Sequence, residues 1–183
     1  MPSLTYADYA ALPDDGRRYE LIDGELVVNP APGVPHQRVV FALARILADH
    51  VESRRLGGVL ISPLDVILDD STTVQPDIVY LSSSREDRAA TRGIEGPPSL
   101  AVEVLSPARP RHDLVTKRKL YARHRVPHYW MVDSENRTLE GLVLRAGEYE
   151  TEALFSAGEI AALRPFPDLE IPLAKIWPPP LRR

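Results

Sequence analysis

A chain of 183 residues with 44% apolar and 26% charged residues has the balance of one globular domain, which excludes disordered, collagen-like and membrane-inserted classes. The absence of cysteine excludes disulfides, thiolate zinc sites, iron–sulfur clusters and a cysteine nucleophile. The net charge of −4 argues against a generic nucleic-acid coat, yet Arg109, Arg111, Lys117, Arg118, Lys119, Arg123 and Arg125 against Asp113 give one segment +6 and leave −10 elsewhere.

No apolar run approaches the roughly 18 residues of a membrane span. Met1–Asp15 lacks a basic patch followed by an apolar core, so no signal peptide is expected and a cytoplasmic location is the default. Tyr19–Val28 places apolar runs on both sides of Asp23-Gly24, a pair suited to a tight two-residue turn, and predicts a hairpin. Val34–Arg54 is predicted as a helix because Val39, Val40, Leu43, Ile46, Leu47 and Val51 share one arc, with His36 in the first turn on the apolar side. Gly57-Gly58 is expected to end it.

Val59–Leu68 and Val74–Leu81 read as two strands joined by the turn Asp69–Thr72, and the polar stretch Ser82–Pro98 reads as irregular. Leu100–Leu105 is a predicted strand, Arg111–Arg125 a helix stopped by Pro127, and Tyr129–Val132 a further strand. Thr138–Leu144 and Tyr149–Leu154 form a last predicted hairpin, and Pro165–Pro180 reads as an extended tail without regular structure. The order predicts an α/β (α+β) fold in which two principal helices cover a mixed sheet. One domain is expected over 1–183: an N-terminal helix and hairpin (1–30), a core (34–133), and a C-terminal hairpin with a proline-rich tail (137–183).

Two carboxylates interrupt apolar strands: Asp77 in Pro76–Leu81 and Glu103 in Leu100–Leu105. A charged group inside such a strand faces solvent, joins an ion pair or binds metal. In the basic helix, Leu114, Lys117, Leu120, Tyr121 and His124 share one arc with Lys117 in its middle, whereas Lys119 and Arg123 point away. Lys117 is therefore an expected partner of Glu103, the alternative being a snorkelling lysine whose ammonium reaches water. His112, His124 and His128 share no face, because Pro127 separates the last two.

A Pro-Asp step on one strand, a glutamate on the next and a nearby lysine resemble the PD-(D/E)XK nuclease superfamily. Nearly the whole chain is similar to the Uma-two family of restriction-endonuclease relatives, through Tyr19–Glu25, His36-Gln37, Val74–Val79, Val102–Pro107, Asp113–Tyr121 and Val126–Asp133. The superfamily's lysine is expected two residues after Glu103, where this chain has Leu105; in the resembled family it has moved to the next helix, where the match falls on Lys117.

The resemblance implies a restriction-endonuclease-like fold and Mg²⁺-dependent hydrolysis of DNA, leaving a 5′-phosphate and a 3′-hydroxyl. Asp77, Glu103 and the Val104 carbonyl would hold Mg²⁺, with Mn²⁺ able to substitute, while Lys117 orients the attacking water. Glu20 would reach the metal through water, and His36 would bond phosphate or a carboxylate. Asp113, Tyr121 and Trp130 match the family as well, with helix capping and core packing sufficient to explain them. Arg109, Arg111 and Arg118 would contact DNA phosphates, and a homodimer would serve both strands of a duplex. The rival readings are a non-catalytic DNA-binding or interaction module on the same fold, and a metal-free hydrolase using paired carboxylates.

Overall fold

The structure, a computed structural model, describes residues 3–105 and 111–179, with the side chains of 111–114 excepted. It begins with α1 (Tyr6–Ala10), β1 (Arg18–Ile22), β2 (Glu25–Asn29) and α2 (Val34–Ser53). Strands β3 (Gly57–Ile61), β4 (Val66–Asp69), β5 (Thr72–Val74), β6 (Ile78–Ser82), β7 (Ala89–Ala90), β8 (Gly93–Glu95) and β9 (Leu100–Leu105) follow. After α3 (Arg111–Arg123) come β10 (His128–Asp133), β11 (Thr138–Arg145), β12 (Glu148–Ser156), β13 (Ile160–Leu163) and β14 (Phe166–Pro172).

The fold is mixed α+β. A central sheet has the order β12-β11-β10-β9-β6-β3, a second sheet the order β2-β1-β5-β4-β8-β7, and β13 pairs with β14. Within the central sheet β9 and β10 run parallel, joined through α3, and the other neighbours are antiparallel. Period-two alternation sends Leu100, Val102 and Val104 of β9 to one face, where they pack with Val39, Leu43, Leu47 and Val51 of α2 and with Phe166 and Ile171 of β14. On the other face Val79, Ala101 and Tyr129 pack under Leu120 and Tyr121 of α3 and under Val66, Val74 and Ile94 of the second sheet. The central sheet is thus covered on both sides, and β9 at its middle is apolar except at Glu103.

Local chemistry explains the elements. Asp23 and Gly24 have φ of 51° and 78°, the two positive values that a tight β1–β2 turn requires. A capping box between Thr5 and Asp8 starts α1, and a proline in the first turn starts α2.

Several expectations are corrected. Each of the two long strands drawn through 59–68 and 74–81 is broken, so that β3 and β6 belong to the central sheet and β4 and β5 to the second. The breaks fall at Pro63 and Pro76, where a residue without an N–H cannot continue a ladder, and the chain crosses between sheets there. Asp77 therefore sits immediately before β6, at the crossing. The stretch 82–98 holds a 3₁₀ turn and the short strands β7 and β8. The proline-rich tail contains a strand, because Phe166–Pro172 pairs with Ile160–Leu163 and buries Phe166 and Ile171 in the core. Its prolines are accommodated in a two-stranded sheet, where every strand has a free edge.

Gly57-Gly58 does not end α2. The left-handed residue after that helix is Arg55, with φ of 54°, and both glycines lie in β3. At Gly57 φ is 135° and a Cβ would stand 2.0 Å from the Leu81 carbonyl oxygen, whereas a Cβ at Gly58 meets nothing within 4 Å. Gly57→Ala is expected to destabilise the fold by at least about 2 kcal/mol in urea unfolding, and Gly58→Ala to leave it unchanged or stabilise it by roughly 0.5 kcal/mol.

Candidate active site

The site forms where β1 of the second sheet meets the middle of the central one. Ile78 pairs with Val102, so one step along the same ladder brings Asp77 beside Glu103, on the face turned towards α3. Glu20 arrives from β1, whose Leu21 pairs with Thr73 of β5. Helix α3, crossing between β9 and β10, lays Lys117 over these acids. His36 is contributed by the first turn of α2. These residues are almost wholly enclosed: Glu20 is 1% exposed, His36 4%, Asp77 1%, Glu103 0% and Lys117 4%.

Lys117 Nζ donates to Glu103 Oε1 and to Glu20 Oε1, both at 2.8 Å. Glu103 Oε1 also accepts the Tyr121 hydroxyl at 2.8 Å, and Glu20 Oε1 accepts the Gln75 backbone N–H at 2.8 Å. Asp77 Oδ2 accepts the Val104 backbone N–H at 2.9 Å and lies 3.1 Å from His36 Nε2. The other ring nitrogen of His36, Nδ1, is buried without a hydrogen-bond partner. That pattern suits the tautomer carrying its proton on Nε2 and donating it to Asp77.

Burial pushes the Glu20 carboxyl up, but the adjacent Lys117 ammonium and the Gln75 N–H outweigh it and hold the group down at about 2. Glu20 is therefore an anion at neutral pH. Burial first, then the charges of Glu103 and Glu20, push the Tyr121 phenol well above its ordinary value, so it remains a donor to Glu103.

Five of the residues named from sequence thus converge: Asp77, Glu103, Lys117, Glu20 and His36. Val104 contributes its N–H to Asp77 and turns its side chain to the α2 face. Lys119 is exposed. Arg118 instead ties α3 to β12, its Nη2 donating to the Tyr149 carbonyl at 2.7 Å. Arg111 opens α3 with its side chain outside the description, and Arg109 lies outside the described residues altogether. Tyr121, which core packing alone explained from sequence, bonds Glu103 directly; its place one turn after Lys117 on the same face is the signal for it.

The donor set fits a hard divalent cation. Asp77 and Glu103 are neighbouring carboxylates, with Val104 next to Glu103 on β9 turning its N–H to Asp77, and Mg²⁺ binds through one or two carboxylates while keeping several waters. Among the described residues no group of three or more His, Asp or Glu side chains is spaced to hold a metal. A site of two carboxylates, a carbonyl and water does not require one.

Comparison with known proteins agrees with this architecture. Residues 6–174 match the Uma2 family, described as "Putative restriction endonuclease". A crystal structure from Anabaena variabilis, described as a "putative nuclease belonging to DUF820", superposes with a TM-score of 0.79 at 19% identity, covering 95% of this chain and 97% of that one. At that identity the likeness shows a shared fold. No curated protein matches the chain significantly. With a family match that spans nearly the whole chain, the chain belongs to the Uma2 family of restriction-endonuclease relatives.

Proposed function

We propose that this protein is a Mg²⁺-dependent DNA endonuclease. The observation that carries the reading is the arrival of Lys117, from a different element, at 2.8 Å from Glu103 beside the Asp77 strand. A cation, two strand carboxylates and a nearby carbonyl are the parts that phosphodiester hydrolysis uses, whichever element supplies the lysine. A divalent cation held by Asp77, Glu103 and the Val104 carbonyl would supply Lewis acidity and lower the pKa of bound water.

The chain's own residues do the rest. The Lys117 ammonium orients the attacking water and offsets charge growing on the phosphate oxygens. His36 and the Val104 N–H hold Asp77, while Tyr121 holds Glu103, so neither carboxylate has to reorganise during the reaction. Glu20, an anion through its contact with Lys117, holds that ammonium in place at 2.8 Å. These five residues are at most 4% exposed, so the cluster in this arrangement is closed to a phosphodiester. Cutting both strands of a duplex is served by two copies related by a two-fold axis, and the reaction is assigned to cytoplasmic DNA.

One observation favours the non-catalytic module as a second reading: Lys117 and His36 already engage the acids in a closed cluster. Nicking of supercoiled plasmid separates the two. The nuclease reading expects cleavage with Mg²⁺, none in EDTA, and a loss of at least about 100-fold in Asp77→Asn and Glu103→Gln proteins that retain their circular dichroism. DNA binding without Mg²⁺-dependent nicking would favour the module.

Lys117→Ala is a poorer catalytic probe, since it strands two buried carboxylates. It is expected to cost about 3–5 kcal/mol in denaturant unfolding. Glu20 links the cluster to acid stability. Its carboxyl has an ordinary value of 4.5 and is held at about 2 in the fold, so its contribution is present above pH 4.5 and is lost as pH falls towards 2. Urea midpoints across that window are expected to fall more steeply for the wild type than for Glu20→Gln. Parallel curves would contradict the ion-pair assignment.

A further inference from the structure

We propose that Arg18 is a phosphate-binding residue at the mouth of this site, gripping the DNA backbone beside the scissile bond. This assignment rests on the nuclease reading and adds to it a residue that the basic segment around α3 does not contain. Arg18 lies two residues before Glu20 on β1, and so on the same face of the strand. Its Nε donates to Gln75 Oε1 at 3.2 Å and its Nη2 to Ser62 Oγ at 2.5 Å.

These two partners adjoin the catalytic acids. The Gln75 N–H bonds the Glu20 carboxylate at 2.8 Å, and the Ser62 N–H bonds the Asp77 carbonyl at 3.1 Å. The Gln75 amide is itself oriented, its Nε2 donating to Asp65 Oδ1 at 2.9 Å, which turns its oxygen towards Arg18. The guanidinium is thereby fixed along its Nε/Nη2 edge.

Both partners of Arg18 are neutral. Among the described residues no carboxylate lies within ion-pairing distance of it, whereas Arg17, Arg92, Arg123, Arg145 and Arg164 each face one. Its end-on edge, Nη1 with the second Nη2 proton, has no hydrogen-bond partner among the described residues. A half-buried, pre-oriented arginine fork without a counter-ion matches the geometry of a phosphate. The electrostatics ask for such a group. An anionic backbone must approach Glu20, Asp77 and Glu103, while Lys117 is engaged by two of those acids and Arg118 by the Tyr149 carbonyl.

The test is salt-dependent binding of the full-length chain to a labelled duplex of about 20 base pairs in EDTA, between 50 and 200 mM salt. Arg18→Gln is expected to weaken binding about tenfold and to make the log–log salt slope shallower by about one. Arg18→Lys is expected to keep the wild-type slope while losing part of the affinity, because it retains the charge without the fork. A purely structural Arg18 would move the melting temperature and leave the slope alone. An unchanged slope in Arg18→Gln, or full wild-type affinity in Arg18→Lys, overturns the assignment. A wild-type chain that binds no duplex removes the nuclease reading as well, so the two failures are distinguishable.

Discussion

The contact on which the structure turns is the Lys117 ammonium shared between Glu20 and Glu103. Glu20 belongs to the second sheet, Glu103 to the central sheet and Lys117 to the helix between β9 and β10, so one buried cation joins three layers. Removing Lys117 leaves two carboxylates stranded in a buried space, which is costly in a way that loss of a surface pair is not, whereas removing either glutamate leaves the lysine its other partner. Peripheral contacts hold α3 in the same seat: His124 meets Asp69 of β4, and Arg123 meets Asp23 of the β1–β2 turn. These are more exposed and contribute less. The enclosed cluster both defines how the layers pack and brings together the groups proposed for catalysis.

The migrated lysine follows from the same geometry. Hydrolysis needs a cation at a point in space near the β9 carboxylate, and nothing requires that β9 supply it. Leu105 occupies the strand position two residues after Glu103, while the helix turn Lys117–Tyr121 covers Glu103 from above with an ammonium and a phenol. The two bonds restrain the carboxylate from both groups, which a single strand lysine would not do.

Much of this was legible in the residues, for identifiable reasons. Asp23-Gly24 demanded its turn, the α2 stripe had the helical period, and β9 was bounded by prolines on both sides. The arc through Lys117, Leu120 and Tyr121 put the lysine on the buried side of α3, where it lies. Other features depended on long-range pairing. Pro63 and Pro76 interrupt residues 59–68 and 74–81, but that the chain passes from one sheet to the other there depends on partners distant in sequence. Tyr121 looked like core because its hydroxyl partner is far away in sequence. Arg18 drew no notice outside the basic segment, since its seat between Gln75 and Ser62, beside Glu20 and Asp77, is assembled only in three dimensions.

The central claim is that Asp77 and Glu103 form a metal site served by Lys117. Crystals of the protein soaked in Mn²⁺ test it most directly through anomalous scattering. The account predicts a peak within coordination distance of both carboxylates and the Val104 carbonyl, with Lys117 beside the metal's waters. A peak bound elsewhere, or none between Asp77 and Glu103 at saturating Mn²⁺, would contradict it.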